Sequence, residues 1–257
     1  MAKTEDRFGF EWQRYHDIKP EYHEQYLQQF LNWTYPIEPE FYKGKTILDA
    51  GCGMGRNAYW CLRWGAKRLV ACDHDARSVA AAKETLKEFP NVEVYQYDLE
   101  ELPWDNEFDF VLSIGVVHHT EHPERVMERF YTALKPGGEV LLWVYSVVGF
   151  EFIPKILDPI RKRVTSKMNL QVLHFLTYGL SVPLYLYLRF TRPSRKYFQQ
   201  LRTFSLSHLH SILFDQLLPP IARYYTKEQA AELVARFRDV SIISPPNDNG
   251  WIVRGKK

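Results

Sequence analysis

The run Ile47-Leu48-Asp49-Ala50-Gly51-Cys52-Gly53-Met54-Gly55 sets three glycines at alternate positions beside a carboxylate. Glycines spaced in this way let backbone approach a ligand closely. An acid beside the turn repels phosphate but can accept a hydrogen bond from an ammonium group. A nicotinamide fingerprint would need its third glycine at position 56, where Arg56 stands, and a phosphate loop would need a Gly-Lys-Ser/Thr ending, which is absent. Asp73 follows 24 residues after Asp49, at a place where a carboxylate can take both hydroxyls of a ribose diol. Asp98, in Gln96-Tyr97-Asp98-Leu99, is placed to accept from an exocyclic adenine amine. Any one of the three acids could be a mere strand-end cap. Three in register describe a ligand that joins a nucleoside to an amino acid.

Candidates for proton transfer are the pair His118-His119 and a second group, His208-Leu209-His210 followed by Asp215. His119 is the first choice of general base, with an imidazole that titrates near ~6.5. Bracing of its loop or contact with a cofactor is the competing reading. His210 with the Asp215 carboxylate is the second candidate, and no metal is expected there. Tyr145 and the Tyr224-Tyr225 pair could also face a substrate.

The elements that must position these groups follow from periodicity. Thr46-Ile47-Leu48 reads as a buried strand, the glycine run as a turn, and the stretch through Trp60 and Trp64 as a helix. Strands are expected over Arg68 to Cys72, Val92 to Tyr97, Phe108 to Ser113 and Glu139 to Tyr145, with helices over Ala76 to Glu88 and Pro123 to Leu134. Such alternation implies a parallel sheet with right-handed crossovers, covered on both faces. Thr226 with Gln229 three residues on predicts a capping box opening a helix to about Phe237. Val240 to Ser244 and Trp251 to Arg254 then suit an antiparallel hairpin. Between Ser146 and Pro220 the alternation fails, and several helices broken by prolines, Pro183 among them, are expected.

With these motifs in order, the chain resembles the class I S-adenosylmethionine-dependent methyltransferases, in their small-molecule branch, similar to quinone-biosynthesis-type enzymes. The first motif looks like Leu48 to Gly55, and Phe108 to Ser113, His118-His119-Thr120 and Leu134 to Gly138 look like the later ones. The resemblance covers about residues 44 to 145 plus the last helix and hairpin. It implies an α/β, Rossmann-like, seven-stranded, mostly parallel sheet with a C-terminal antiparallel hairpin, plus a helical insertion after the fifth strand. It also implies S-adenosyl-L-methionine as cofactor. Gly51, Gly53 and Gly55, with Cys52 and Asp49, would pass the methionine moiety. Asp73 would take the ribose with His74 beside it, Asp98 and Leu99 the adenine, and Ile114-Gly115 the opposite side. The aromatic N-terminal segment would lie over the cofactor through Trp12 and Tyr15, with plain docking on the helix Tyr22 to Trp33 as the alternative. The organisation expected is a helical cover over 1–43, a core made of 44–145 and 221–257, and a helical lid over 146–220.

Composition narrows the partner. At 257 residues with 46% hydrophobic and 25% charged residues, the chain is globular, and its net charge of +2 is too balanced for a surface built around nucleic acid. The charge is unevenly spread. From Phe152 to Leu213 there are ten Lys or Arg against the single acid Asp158, so that stretch is +9. Bases flanking the apolar run Val172 to Leu188 suit an interfacial helix near anionic lipid. Gly179, Ser181 and Pro183 interrupt that run and argue against a span. A lid packed on the sheet, or on a second subunit in a homodimer, is the plainer reading. The expected function is methyl transfer to a small-molecule or lipid-linked acceptor at O, N or C. An RNA methyltransferase using the basic insertion, and an inactive cofactor-binding interaction protein, are the alternatives, and nucleic acid is disfavoured. Three cysteines without a CxxC pair and the lack of a signal peptide at Met1 to Phe10 imply a cytoplasmic protein, peripheral to the inner membrane face at most.

Overall fold

The computed structural model describes residues 23–148 and 152–257. Seven strands form one sheet: β1 (Thr46–Ala50), β2 (Arg68–Asp73), β3 (Val92–Gln96), β4 (Phe108–Ile114), β5 (Leu134–Val144), β6 (Arg238–Ile243) and β7 (Trp251–Lys256). Their order is β3-β2-β1-β4-β5-β7-β6, parallel through β5, with β7 antiparallel to both β5 and β6. The predicted mostly parallel sheet with its C-terminal hairpin is therefore present. Strand order reverses between β1 and β4, and the crevice beyond the carboxyl ends of these two strands is where open α/β sheets bind ligands.

Nine α-helices are described. They are α1 (His23–Thr34), α2 (Arg56–Arg63), α3 (Ala76–Thr85), α4 (Pro123–Ala133), α5 (Phe152–Arg163), α6 (Leu170–Phe190), α7 (Lys196–Leu201), α8 (Leu206–Leu217) and α9 (Lys227–Glu232). Successive residues of one strand point to opposite faces, and here both faces are buried. Leu48, Val70 and Val140 enter one core, whereas Ile47, Leu69 and Leu141 enter the other. Hence the strands read as nearly unbroken apolar runs. Phe30 and Trp33 of α1 close the second core against Tyr42, Trp64 and Trp143.

The capping box is formed as predicted, with the Thr226 hydroxyl accepting from the Gln229 N–H and the Gln229 side chain accepting from the Thr226 N–H. The helix it opens stops at Glu232, short of Phe237, and the chain goes on in tighter turns whose N–H groups donate three residues back, Val234 to Ala231 and Phe237 to Val234. The insertion also departs from expectation. Pro183 does not break its helix, since α6 runs through it for 21 residues. A proline removes the bond to the carbonyl four residues back. Here that residue is Gly179, exposed and without a side chain, so its carbonyl can be hydrated. Helix α6 packs on α8 through Leu173 and Phe214 and through a buried polar seam.

Candidate active site

The turn after β1 is tied to the end of β2. The N–H groups of Gly51 and Cys52 donate to the Cys72 carbonyl at 2.8 and 2.9 Å, and the Gly53 N–H donates to Asp73 Oδ2 at 2.9 Å. Asp73 Oδ1 accepts from the Asp75 N–H at 3.0 Å. Burial raises the Asp73 pKa, while the two backbone donors lower it. One carboxylate thus orders the glycine turn and keeps lone pairs available for a diol. The Asp98 Oδ1 accepts from the Glu100 N–H at 2.9 Å, and Asp98 Oδ2 lies 3.7 Å from His74 Nδ1. Across the crevice, the Ser113 hydroxyl donates to the Ala50 carbonyl at 2.8 Å, which pins the end of β4 to the end of β1.

These groups border one cavity of about 860 Å³. Its walls include Gly51, Cys52, Gly53, Asp73, His74, Asp98, Leu99, Ile114, Gly115 and His119, so most of the residues predicted for the site are brought together. Gly55 is not on the wall. It stands at φ +84 as the residue before α2, where its backbone starts the helix. Trp12 and Tyr15 lie outside the described residues.

Asp49 is a correction. It is the penultimate residue of β1, fully buried and off the cavity wall, and so is not placed where a ligand's ammonium group would lie. Burial pushes its carboxyl up to about 7, and the Ala58 backbone offsets this only in part, without reaching full hydrogen-bond geometry. The strand alternation that buries Leu48 on one face turns Asp49 to the other.

His210 is the second correction. It sits in the seam between α6 and α8, with Nε2 3.0 Å from His174 Nδ1 and Nδ1 3.0 Å from the Ser181 hydroxyl, and it stacks on Tyr178. It does not reach the cavity. Residues two apart on a helix point in nearly opposite directions, so His208, with Ser211, Ile212 and Asp215 further along α8, borders the cavity in place of His210. His208 Nδ1 lies 3.0 Å from Gln25 Oε1 of α1, and burial pushes its pKa down to about 3.

His119 does border the cavity, on a short 3₁₀ turn over Val117–His119. Its Nδ1–H donates to the Ile221 carbonyl at 2.7 Å, which leaves Nε2 as the nitrogen with the lone pair. Burial pushes its pKa down to about 4, against the pull of the Ile221 carbonyl and with help from Arg161 and Arg223. The expected value near 6.5 is thus corrected: His119 is neutral and weakly basic at neutral pH. His118 is fully buried off the wall, its ring 3.9 Å from that of Tyr145.

Of the other wall residues, the sequence singled out Tyr145 and Tyr224 as aromatics that could face a substrate, and gave no signal for Arg161's support of them or for Trp33 and Arg56. Tyr145, named only as an aromatic that could face substrate, accepts from Gln216 Nε2 at 2.8 Å, and burial holds it as a neutral phenol that keeps its own proton. Tyr224 stacks on Tyr145 and donates to Gln216 Oε1 at 3.3 Å, and the buried Arg161 donates to the Tyr224 hydroxyl at 3.3 Å while pairing with Asp158. Trp33 and Arg56 form the opposite wall, with the guanidinium 5.2 Å from the indole centroid. The buried Trp33 Nε1, Trp143 Nε1 and Gln200 Nε2 have no hydrogen-bond partner among the described residues, so three donors belong to wall residues of the cavity. Ile156, Leu157, Leu180 and Leu184 make the far end of the cavity apolar.

Residues 48–142 match the family described as Methyltransferase domain. A tRNA U34 carboxymethyltransferase of Pseudoalteromonas atlantica is 32% identical over 112 residues, which are 42% of this chain and 34% of that protein. Phosphoethanolamine N-methyltransferase 2 of Caenorhabditis elegans is 32% identical over 116 residues, 42% of this chain and 25% of that protein. The chain therefore spans about a third or less of the length of the curated relatives it matches. In overall fold it is similar to a structure of an S-adenosylmethionine-dependent methyltransferase, possible histamine N-methyltransferase, from Thermotoga maritima, with a TM-score of 0.57 at 16% identity, covering 96% of this chain and 99% of that one. The strand order, the glycine turn tied to Asp73 and the matched residues 48–142 show that this chain carries a methyltransferase domain, in a fold similar to that of S-adenosylmethionine-dependent methyltransferases.

Proposed function

We propose that the chain transfers a methyl group from S-adenosylmethionine to a small-molecule or lipid-linked acceptor. The observation that carries this is the continuity of the cavity. One space of about 860 Å³ runs from the acids and glycines at the strand ends, past His119 and Tyr145, to the apolar side chains of α5 and α6. Single-ligand pockets run from about 300 to 1,000 Å³, so this space is near the upper limit and suits two ligands side by side.

The residues present fit the cofactor. Asp73 and Asp98 border the cavity with carboxylates suited to a ribose diol and an adenine amine, and Gly51 and Gly53 bring backbone to its wall. When bound, S-adenosylmethionine supplies an electrophilic methyl on sulfur. The protein's part is to align an acceptor in line with that methyl and keep water out. Tyr145 and His119 offer a phenol proton and an imidazole lone pair at the middle of the cavity, where they can orient an acceptor's polar atom. With its pKa near 4, His119 serves better as a hydrogen-bond acceptor than as a strong base.

Calorimetry with S-adenosylmethionine and with its demethylated product tests the reading. Both should bind, and Asp73→Ala should weaken binding by roughly 1.5 to 3 kcal/mol, the scale for removing a charged hydrogen-bond acceptor. Absence of heat from a folded sample at millimolar ligand would sink it. A second reading, RNA as acceptor, is favoured by the exposure of nine of the ten bases between residues 152 and 213 and by the names of the curated relatives. Incubation with methyl-labelled cofactor and either tRNA or a lipid extract separates the two: the label should enter the lipid-soluble fraction.

A further inference from the structure

Helix α6 is buried along one narrow seam only. Leu173, Thr177, Ser181 and Leu188 recur at helical spacing and face inward, while Val172, Phe175, Val182, Leu186 and Phe190 recur along the opposite side and are exposed, Phe175 by 74% and Phe190 by 85%. Helix α5 carries Ile156 and Ile160, also exposed, and Val164 follows just beyond its end. A helix of a water-soluble domain normally turns polar residues outward, and a contiguous apolar face of this size marks a contact surface.

Two further observations identify what the surface meets. The cations beside it, Lys155, Lys162, Arg163, Lys167, Arg189 and Arg192, are exposed, and Asp158, the one acid between residues 152 and 213, is already paired with the buried Arg161. The partner is therefore apolar within and negatively charged at its surface. In addition, Ile156 and Leu180, each more than half exposed at 59% and 55%, belong to this face and also border the cavity. The face and the mouth of the acceptor pocket are continuous. Among the described residues no helix is long and apolar enough to cross a membrane, so contact is confined to one leaflet.

We infer that α5 and α6 form a docking surface for an anionic lipid bilayer, and that a lipid-linked acceptor enters the cavity sideways between Ile156 and Leu180 without leaving the leaflet. This rests on the proposed methyl transfer for its purpose but not for its physical test.

Co-sedimentation with vesicles of phosphatidylcholine alone, or mixed with phosphatidylglycerol, provides that test. The protein should bind the mixed vesicles at least fivefold more than the neutral ones, and less as salt is raised. Phe175→Ser combined with Phe190→Ser removes two side chains that are 74% and 85% exposed, so melting should change little while vesicle binding falls at least tenfold. Arg163→Glu with Arg192→Glu should abolish the preference for phosphatidylglycerol. Wild-type protein that stays in the supernatant, or a double serine variant that binds as well as wild type, would overturn the inference. So would a wild-type dimer in sedimentation velocity that the serine variant dissociates, which would give the face to a second copy. Cofactor calorimetry on the same samples reads the methyl-transfer proposal separately, because no residue substituted here belongs to the cofactor half of the cavity.

Discussion

At His119, position and protonation point to different uses. The imidazole borders the cavity where an acceptor would lie, yet burial holds its pKa at about 4. A base required for turnover with an ordinary imidazole pKa would make rate rise through about pH 6.5. With the value near 4, kcat should be level from pH 5.5 to 8 as far as this group is concerned. His119→Ala should lower kcat/KM for the acceptor by roughly tenfold, the cost of one orienting hydrogen bond, and leave cofactor affinity within about twofold. Steady-state kinetics across that pH range checks both. An inflection near pH 6.5 that vanishes in the variant would instead make His119 the base.

Among the elements, the turn after β1 shows why glycine is required for packing as well as for ligand approach. Gly51 has φ +80, and a Cβ there would lie 2.5 Å from a methyl of Val116, the residue that follows Gly115 beyond β4. The two loops at the topological switch point therefore touch through a missing side chain. Gly51→Ala should destabilise the protein by about 2 to 4 kcal/mol, combining left-handed backbone strain with overpacking. Adding Val116→Ala should recover the overpacking share, about 1 to 3 kcal/mol, and leave the strain. Urea unfolding of both variants measures the difference. Equal loss in the single and double variants would show that the contact with Val116 does not matter.

For the whole molecule, the cavity's buried groups set how stability changes with pH. His118, His119 and His208 have folded pKa values below 6.5, the last two at about 4 and about 3. Between pH 4 and 6.5 the unfolded chain binds protons at His119 and His208 that the folded chain does not, so each of these two adds about 1.4 kcal/mol of stability per pH unit gained, and His118 acts in the same direction. Asp49, raised to about 7, and Asp73, also raised, act in the opposite sense, because the folded state holds their protons longer as pH rises. His118 and Asp73 oppose one another, and the two imidazoles at about 4 and about 3 outweigh the one carboxyl at about 7. Stability should climb by roughly 3 kcal/mol from pH 4 to 6.5, pass a maximum near pH 6.5 and fall slightly to pH 7. Asp49→Asn should steepen the climb and remove most of the fall. Urea unfolding of the ligand-free protein at half-unit pH intervals checks this, and a profile that declines from pH 5 upward would contradict it.

The sheet, its parallel pairing, the capping box at Thr226 and the places of Asp73 and Asp98 could all be read from the chain, because each depends on local periodicity or on residues within one turn of each other. Asp73 and Asp98 stand at strand ends, and strand ends of a parallel sheet converge on one crevice whatever the details of packing. The direction of a side chain within its element was less legible. Asp49 has the residue type of a ligand contact but turns into the core, and His208, two positions before His210 on one helix, takes the place in the cavity that the sequence assigned to its neighbour. Those outcomes depend on which face of an element meets its neighbours. Burial likewise decided the protonation of His119, since its low pKa arises from surroundings contributed by Ile221, Arg161 and Arg223, far away in sequence. The chain by itself determined which strand ends would meet and which acids would stand there. Only the tertiary structure decided which side chains face the cavity and in what charge state, because desolvation and facing are properties of contacts between elements that no local pattern records.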